Sequence, residues 1–201
     1  MRSAAIYLAH LNPMTRAHES IISTLKQDYN AYVFPVRFIK EGREINTKSF
    51  PFTYEVRKSM VESVFGDSVV VLPDYTFYAP YAKYMPPLLS SRSWELRKQI
   101  MAQIKEEKFV SYTGDKAEQL MLKAYRLKPL KAERLEISAS LVKEELYGQA
   151  VEGGNEDWRD KVPEPVAEII KKNWNIVEKF ARMEDSTKRM MGMKFPKEGY
   201  K

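Results

Sequence analysis

The sequence predicts an α/β fold: a Rossmann-like, mostly parallel five-stranded sheet with helices on both faces and a small C-terminal helical segment. Three observations carry this expectation. Short apolar or β-branched runs alternate with stretches of helical periodicity from residue 3 to about residue 146, the pattern of strands joined by crossover helices. The first run, SAAIYLA, is small and apolar throughout, as a buried strand is. With 201 residues, 44% of them apolar and 30% charged, the chain can bury a sizeable core as one domain.

The elements follow in order. Residues 3–9 read as the first strand, and 16–26 as a helix with Ile21, Ile22 and Leu25 on one face. AYVFPVRFI, 31–39, is β-branched and aromatic, with Pro35 marking an edge or a bulge. A long polar segment, 40–52, precedes an amphipathic helix over 53–65 that Thr53 can cap. SVVVLPD, 68–74, reads as a third strand and a Tyr/Pro-rich stretch, 75–90, follows it. A helix over 94–107, a strand over 109–115, a helix over 117–126 and a short fifth strand over 132–137 come next. Ser138 then opens a helix to about Leu146, and 165–172 and 175–182 read as two more. Apolar periodicity stops near Met183. The expected organisation is therefore one domain over 1–182 and a basic, poorly ordered tail over 183–201.

Composition narrows the function classes. The absence of cysteine excludes disulfides, thiolate metal sites and cysteine nucleophiles, and fits a cytoplasmic protein. Nothing reads as a membrane span or a signal peptide, so no membrane partner is expected. The net charge of +6 suits anionic partners. A nucleic-acid binder ranks last, because no recognisable nucleic-acid motif accompanies the charge.

Both histidines of the chain lie in AHLNPMTRAH, 9–18. A strand ends at Ala9, Asn12-Pro13 makes a turn, and a helix begins near Thr15. A helix start offers free backbone N–H groups and the positive end of a dipole, and so receives anions. Thr15 can cap this helix and His18 falls in its first turn. A second stretch, ISASLVK over 137–143, repeats the logic: Ser138 and Ser140 at a helix start, with Lys143 one turn on. Each stretch alone is as consistent with an ordinary capped helix as with a ligand site.

Together they are more specific. Ala9-His-Leu-Asn-Pro-Met-Thr-Arg-Ala-His18 resembles the G-x-F-x-P-x-(T/H)-x-G-H signature of the (T/H)xGH nucleotidyltransferase superfamily, with Ala9 and Ala17 at the two glycines and Leu11 at the phenylalanine. Ile137–Lys143 resembles the family's ISSTxxR, with lysine at the arginine. FPFTYEVRKSMV, 50–61, resembles the NPFTxxERxxMI helix of archaeal-type nicotinamide mononucleotide adenylyltransferases, with Arg57 at the family's arginine. WRDKVPEPVAEII, 158–170, resembles the segment that follows their second motif. The resemblance spans most of residues 3 to about 172 and is weakest over 75–107.

The resemblance implies transfer of a nucleotidyl group from a nucleoside triphosphate to a small phosphorylated acceptor, with release of pyrophosphate. It implies His18 and Lys143 as catalytic. It implies a nucleotide site of Ala9, His10, Leu11, Thr15, Ala17, His18, Ile137, Ser138, Ser140 and Lys143, and an acceptor site that includes Asn12 and Arg57. Thr113 and Asp115 end the fourth strand on the ligand edge of the sheet, where they either join the nucleotide site or only turn the chain into a helix, and Tyr78 is the acceptor-site candidate of the Tyr/Pro-rich stretch. His10 stands where the family varies and is expected to line the acceptor side or face solvent. Mg²⁺ is implied as a companion of the triphosphate, with no metal-ligand cluster in the chain, and a homo-oligomer is possible. ATP with nicotinamide mononucleotide is the leading pair. The alternatives are cytidylyl transfer to a head-group or sugar phosphate, and a nucleotide-binding module without catalysis, suggested by Ala9, Ala17 and Lys143. Two further features stay open: Lys40, Arg43 and Lys48 form a basic loop, and Tyr75, Phe77, Tyr78, Tyr81 and Tyr84 either build an acceptor pocket or pack under a loop.

Overall fold

A computed structural model describes residues 2–113, 116–130 and 138–201, with only the backbone of 116–118. β1 (Ser3–Ala9) lies at its centre, and its apolar run is buried on both faces. α1 (Arg16–Asp28) turns Ile22 and Leu25 inward. β2 (Tyr29–Pro35) pairs parallel with β1 from Ser3↔Tyr29 to Ala9↔Pro35.

The run expected as one strand over 31–39 divides at Pro35. Pro35 has no N–H to continue the ladder. Val36 makes one last bond, N to Ala9 O at 3.0 Å. The chain then leaves as β3 (Arg37–Lys40), which pairs antiparallel with β4 (Arg43–Glu44). α2 (Tyr54–Phe65) is capped by Thr53, whose hydroxyl accepts from Val56 N. β5 (Val70–Val71) is a two-residue remnant of the expected 68–74, and β6 (Thr76–Tyr78) joins β3 in a second sheet of order β4-β3-β6.

α3 (Ser91–Ala102) starts earlier than expected because Ser90 caps it, accepting from Ser93 N at 3.3 Å. β7 (Phe109–Tyr112) pairs parallel with β1, and α4 (Lys116–Ala124) follows. α5 (Ala139–Glu152) begins at the Ser138 cap and runs past Leu146 to Gly153, whose φ of 73° suits a helix end. α6 (Glu164–Lys172) and α7 (Trp174–Ala181) complete the helices. The main sheet has the order β5-β2-β1-β7, all parallel among the described strands. The expected fifth strand over 132–137 lies outside the described residues. No helix among the described residues is long and apolar enough to cross a membrane.

Alternation along β1 divides the core. Ala5 and Tyr7 pack with residues of α1, α2, α5, α6 and α7, while Ala4, Ile6 and Leu8 pack with residues of α3, α4 and the second sheet.

The C-terminus departs from its expectation. Residues 183–201 lack helical periodicity because they form a hairpin, β8 (Thr187–Met190) with β9 (Met193–Pro196). Its turn, Met191-Gly192, has positive φ at both residues, 47° and 86°, as a tight two-residue hairpin needs. Phe195 is 0% exposed and packs edge-on to Phe38 at 5.5 Å and Phe77 at 5.4 Å. Removing such a ring from a core typically destabilises by roughly 3–5 kcal/mol. Phe195→Ala should therefore lower the urea-unfolding free energy by about 3 kcal/mol or more; a change below about 1 kcal/mol would show that the hairpin is not docked.

Candidate active site

The site forms where β1 ends. Ala9 and His10 are half-buried, and the chain then bends through Leu11, a buried residue with φ 49°. Asn12 follows, 1% exposed. Its amide Nδ2 donates to Phe52 O at 2.9 Å, and its Oδ1 accepts from Phe52 N at 3.0 Å. The β1–α1 loop is thereby bolted to the segment that leads into α2.

Thr15 is buried and serves as the N-cap of α1. Its backbone N–H donates to His18 Nδ1 at 3.0 Å, and its hydroxyl lies 2.9 Å from the same nitrogen. A nitrogen that accepts from a backbone N–H carries no proton, so the ring proton of neutral His18 sits on Nε2. Burial, helped by the Lys143 cation, lowers the His18 pKa to about 4. His18 is thus a neutral imidazole at pH 7 with one N–H free to donate outward.

The second motif meets the first. Lys143, on α5, extends its Nζ to donate to Asn12 O at 2.9 Å. Burial, then the charge of Lys194, lowers the Lys143 pKa to about 8. Ser138 caps α5 by accepting from Leu141 N at 3.2 Å, and Ser138 and Ser140 are exposed at that helix start. His10 stacks face to face on Phe50 at 4.5 Å and 7°. Burial first, then Arg57, Lys143, Lys194 and His18, takes its pKa down to about 3. Two neutral imidazoles and two lysines therefore share the end of β1.

The remaining residues singled out from the sequence fall differently. Arg57 is 2% exposed, and protein oxygens take its N–H groups. Nη1 donates to His10 O and Val36 O at 2.8 Å each, Nη2 donates to Glu44 Oε1 at 3.0 Å, and Nε donates to Thr53 O at 3.3 Å. In place of the acceptor contact expected of it, this geometry makes Arg57 a tie between the ends of β1 and β2 and the start of α2. Asn12 likewise directs its carboxamide at Phe52 rather than outward. Tyr78 is 57% exposed on β6, whereas Phe77, Tyr81 and Tyr84 are packed in the core. Ala17 and Thr113 are buried near the helix start and the end of β7. Asp115 and Ile137 lie outside the described residues.

The basic loop is tied down. Lys40 pairs with Glu198 at 3.3 Å, and Lys48 donates to Ala181 O at 2.9 Å beneath the Tyr147 ring. Sequence reasoning missed Glu44, which anchors Arg57, and Lys194, because the hairpin that carries it has no helical period. The sequence signal available was Gly192, standing between two short runs as a hairpin turn residue does.

The chain matches no protein-family profile and no curated protein sequence. It does superpose on solved adenylyltransferases. The bifunctional NMN adenylyltransferase/ADP ribose pyrophosphatase of Francisella tularensis superposes with a TM-score of 0.61 at 15% identity, over 92% of this chain and 51% of that one. Its complex with AMP and Mn ion superposes with a TM-score of 0.59 at 12% identity, over 90% and 52%. Plasmodium falciparum nicotinic acid mononucleotide adenylyltransferase, complexed with NaAD, superposes with a TM-score of 0.51 at 14% identity, over 88% and 98%. The chain shares the Rossmann-like α/β fold of these structures. It spans about half the length of the Francisella protein.

The two histidines give a direct test. Each has a folded-state pKa below its ordinary value near 6.5, so the unfolded chain takes up protons first as pH falls. Stability should therefore drop as pH goes from about 6.5 towards about 4, and further towards about 3. By ¹⁵N NMR, both rings should stay neutral down to about pH 5, with the His18 proton on Nε2. A titration midpoint near 6.5 for either ring, or a protonated His18 Nδ1, would contradict this geometry.

Proposed function

We propose that the chain transfers an adenylyl group from ATP to the phosphate of a pyridine mononucleotide such as nicotinamide mononucleotide, releasing pyrophosphate. One observation carries the reading: a neutral His18 with its proton fixed on Nε2, beside Lys143, at the carboxyl end of the central strand of a fold shared with solved adenylyltransferases. Ligands in open α/β sheets bind at that end of the strands. The sequence resemblance supplies the acceptor class.

The chemistry needs no covalent side chain. A phosphate oxygen of the acceptor attacks the α-phosphorus. The bond from that phosphorus to the oxygen bridging to the β-phosphate breaks, and pyrophosphate leaves with the electron pair. The protein aligns the two reactants and stabilises charge as it moves. The Nε2–H of His18 donates to a non-bridging oxygen of the α-phosphate, where charge builds during attack. Lys143 swings from Asn12 O to the departing phosphates, and the exposed Ser138 and Ser140 hydroxyls and the first N–H groups of α5 receive the same end of the nucleotide.

Among the described residues no cluster of three or more His, Cys, Asp or Glu side chains could hold a metal ion. The side chains gathered at the end of β1 are lysines and imidazoles, which can donate to phosphate oxygens. Mg²⁺ in this reading arrives on the triphosphate as part of the substrate and neutralises part of its charge.

A pyrophosphate-release screen of four triphosphates against pyridine mononucleotides, head-group phosphates and sugar phosphates tests this. ATP with a pyridine mononucleotide should react. His18→Ala should lower kcat by roughly a hundredfold or more while leaving ATP binding and the melting temperature close to wild type. Reaction only with CTP would shift the reading to cytidylyl transfer. No release with any pair, in a chain that still binds ATP, would make it a binding module.

A further inference from the structure

The C-terminal hairpin brings a second ammonium group to the site. Lys194 lies on β9, and its Nζ donates to Ser49 Oγ at 2.9 Å. Ser49 Oγ in turn donates to Asp185 Oδ2 at 2.6 Å, and Thr187 Oγ1 donates to the same oxygen at 2.9 Å. Residue 50, next to Ser49, is the phenylalanine stacked on His10. On the other side of Lys194, Phe195 packs against Phe38, whose ring lies 5.4 Å from Phe50 and 6.5 Å from His10. Lys194 is therefore bonded to the residue that precedes the ring stacked on His10, on a strand that Phe195 anchors beside that stack.

Lys194 meets its neighbouring carboxylate, Asp185, only through Ser49 Oγ. Among the described residues, neither Lys143 nor Lys194 forms a salt bridge. Both lower the proton affinity of His10, and Lys194 lowers that of Lys143; Asp185 and Glu144 oppose the shift of Lys143 without reversing it. Cations held together without a carboxylate in contact make a site for an anion. One Lys194 proton goes to Ser49, and two remain to donate.

The arrangement also orders the site. His18 is bonded to Thr15, and Lys143 lowers its proton affinity. Lys194 is bonded to Ser49, on the side of the His10–Phe50 stack. Resting on the nucleotidyl-transfer reading, which places His18 at the α-phosphate, we infer that Lys194 binds the phosphate of the acceptor mononucleotide, beside His10 and across the site from His18. The hairpin is then part of the active site, and its lysine sets affinity for a phosphorylated acceptor.

Two measurements on the full chain test this. In steady-state pyrophosphate release, Lys194→Ala and Lys194→Gln should each raise KM for the acceptor about tenfold or more and leave KM for ATP within about twofold, the scale of one lost hydrogen bond to a charged group. Lys194→Gln can keep the bond to Ser49, so it removes the charge with least disturbance to the hairpin. Lys197→Ala, an exposed lysine on the same segment, should change neither constant. An unchanged acceptor KM, or equal rises in both KM values, would overturn the inference while leaving the nucleotidyl-transfer reading intact. The second measurement needs no catalysis. Inorganic phosphate should shift the His10 ring resonances in the wild type, with affinity about tenfold weaker in Lys194→Gln. If no pyrophosphate is released with any pair, this titration alone decides: loss of phosphate affinity in the variant supports the anion site, and unchanged affinity overturns it.

Discussion

Asn12 is the point on which the site depends. Its carboxamide takes both backbone groups of Phe52, and its own carbonyl accepts from Lys143. One buried residue thus joins the end of β1, the lead-in to α2 and Lys143 of α5. A primary amide is suited to this, because it offers a donor and an acceptor side by side to a single peptide position. Buried polar groups of this kind are costly when left without a partner, about 1–3 kcal/mol each. The loop geometry is therefore held by the requirement that every one of them be satisfied. Arg57 extends the same logic one layer down, fastening His10 O and Val36 O and matching its charge to Glu44. Together the two side chains fix the backbone that carries His10 and the carbonyl that holds Lys143.

Burial then decides what those three groups are. A solvated histidine titrates near neutrality and is a mixture of forms. At this strand end, desolvation and neighbouring cations push both imidazoles to the neutral form, and the Thr15 N–H selects the His18 tautomer. The result is a neutral ring whose one proton is held on Nε2. Lys143, brought down to about 8, remains mostly protonated at neutral pH and is held by a neutral carbonyl rather than a carboxylate. A partner of that kind is readily exchanged for a phosphate oxygen.

Much of this was legible in the sequence, and what was not has identifiable causes. β1, α1, α2, α6 and α7 follow their hydrophobic periods closely, because each packs its apolar residues on the core and burial enforces the period. Both motifs contain helix starts, the first after β1, and Lys143 does reach the loop of the first. The roles of Asn12 and Arg57 were not visible. A motif shows that a polar residue is present but not whether it faces a ligand or a carbonyl, and here partners 40 and 47 positions away in the chain decided it. Pro35 was read as an edge or a bulge and proved to be the point where the chain changes sheets. Lys194 was lost with the tail. Its hairpin is short, and Phe195, with Met190 and Met193, packs it on the core without a helical period.

The most direct measurement is a crystal structure of the chain with Mg²⁺ and a non-hydrolysable ATP analogue. The account predicts an α-phosphate oxygen within about 3 Å of His18 Nε2, and Lys143 Nζ moved from Asn12 O onto a β- or γ-phosphate oxygen at a similar distance. A triphosphate seated elsewhere, for instance near the apolar cavity of about 60 Å³ between α3, α4 and Tyr84, would contradict it. So would a bound analogue with Lys143 still donating to Asn12 O and His18 Nε2 facing no phosphate.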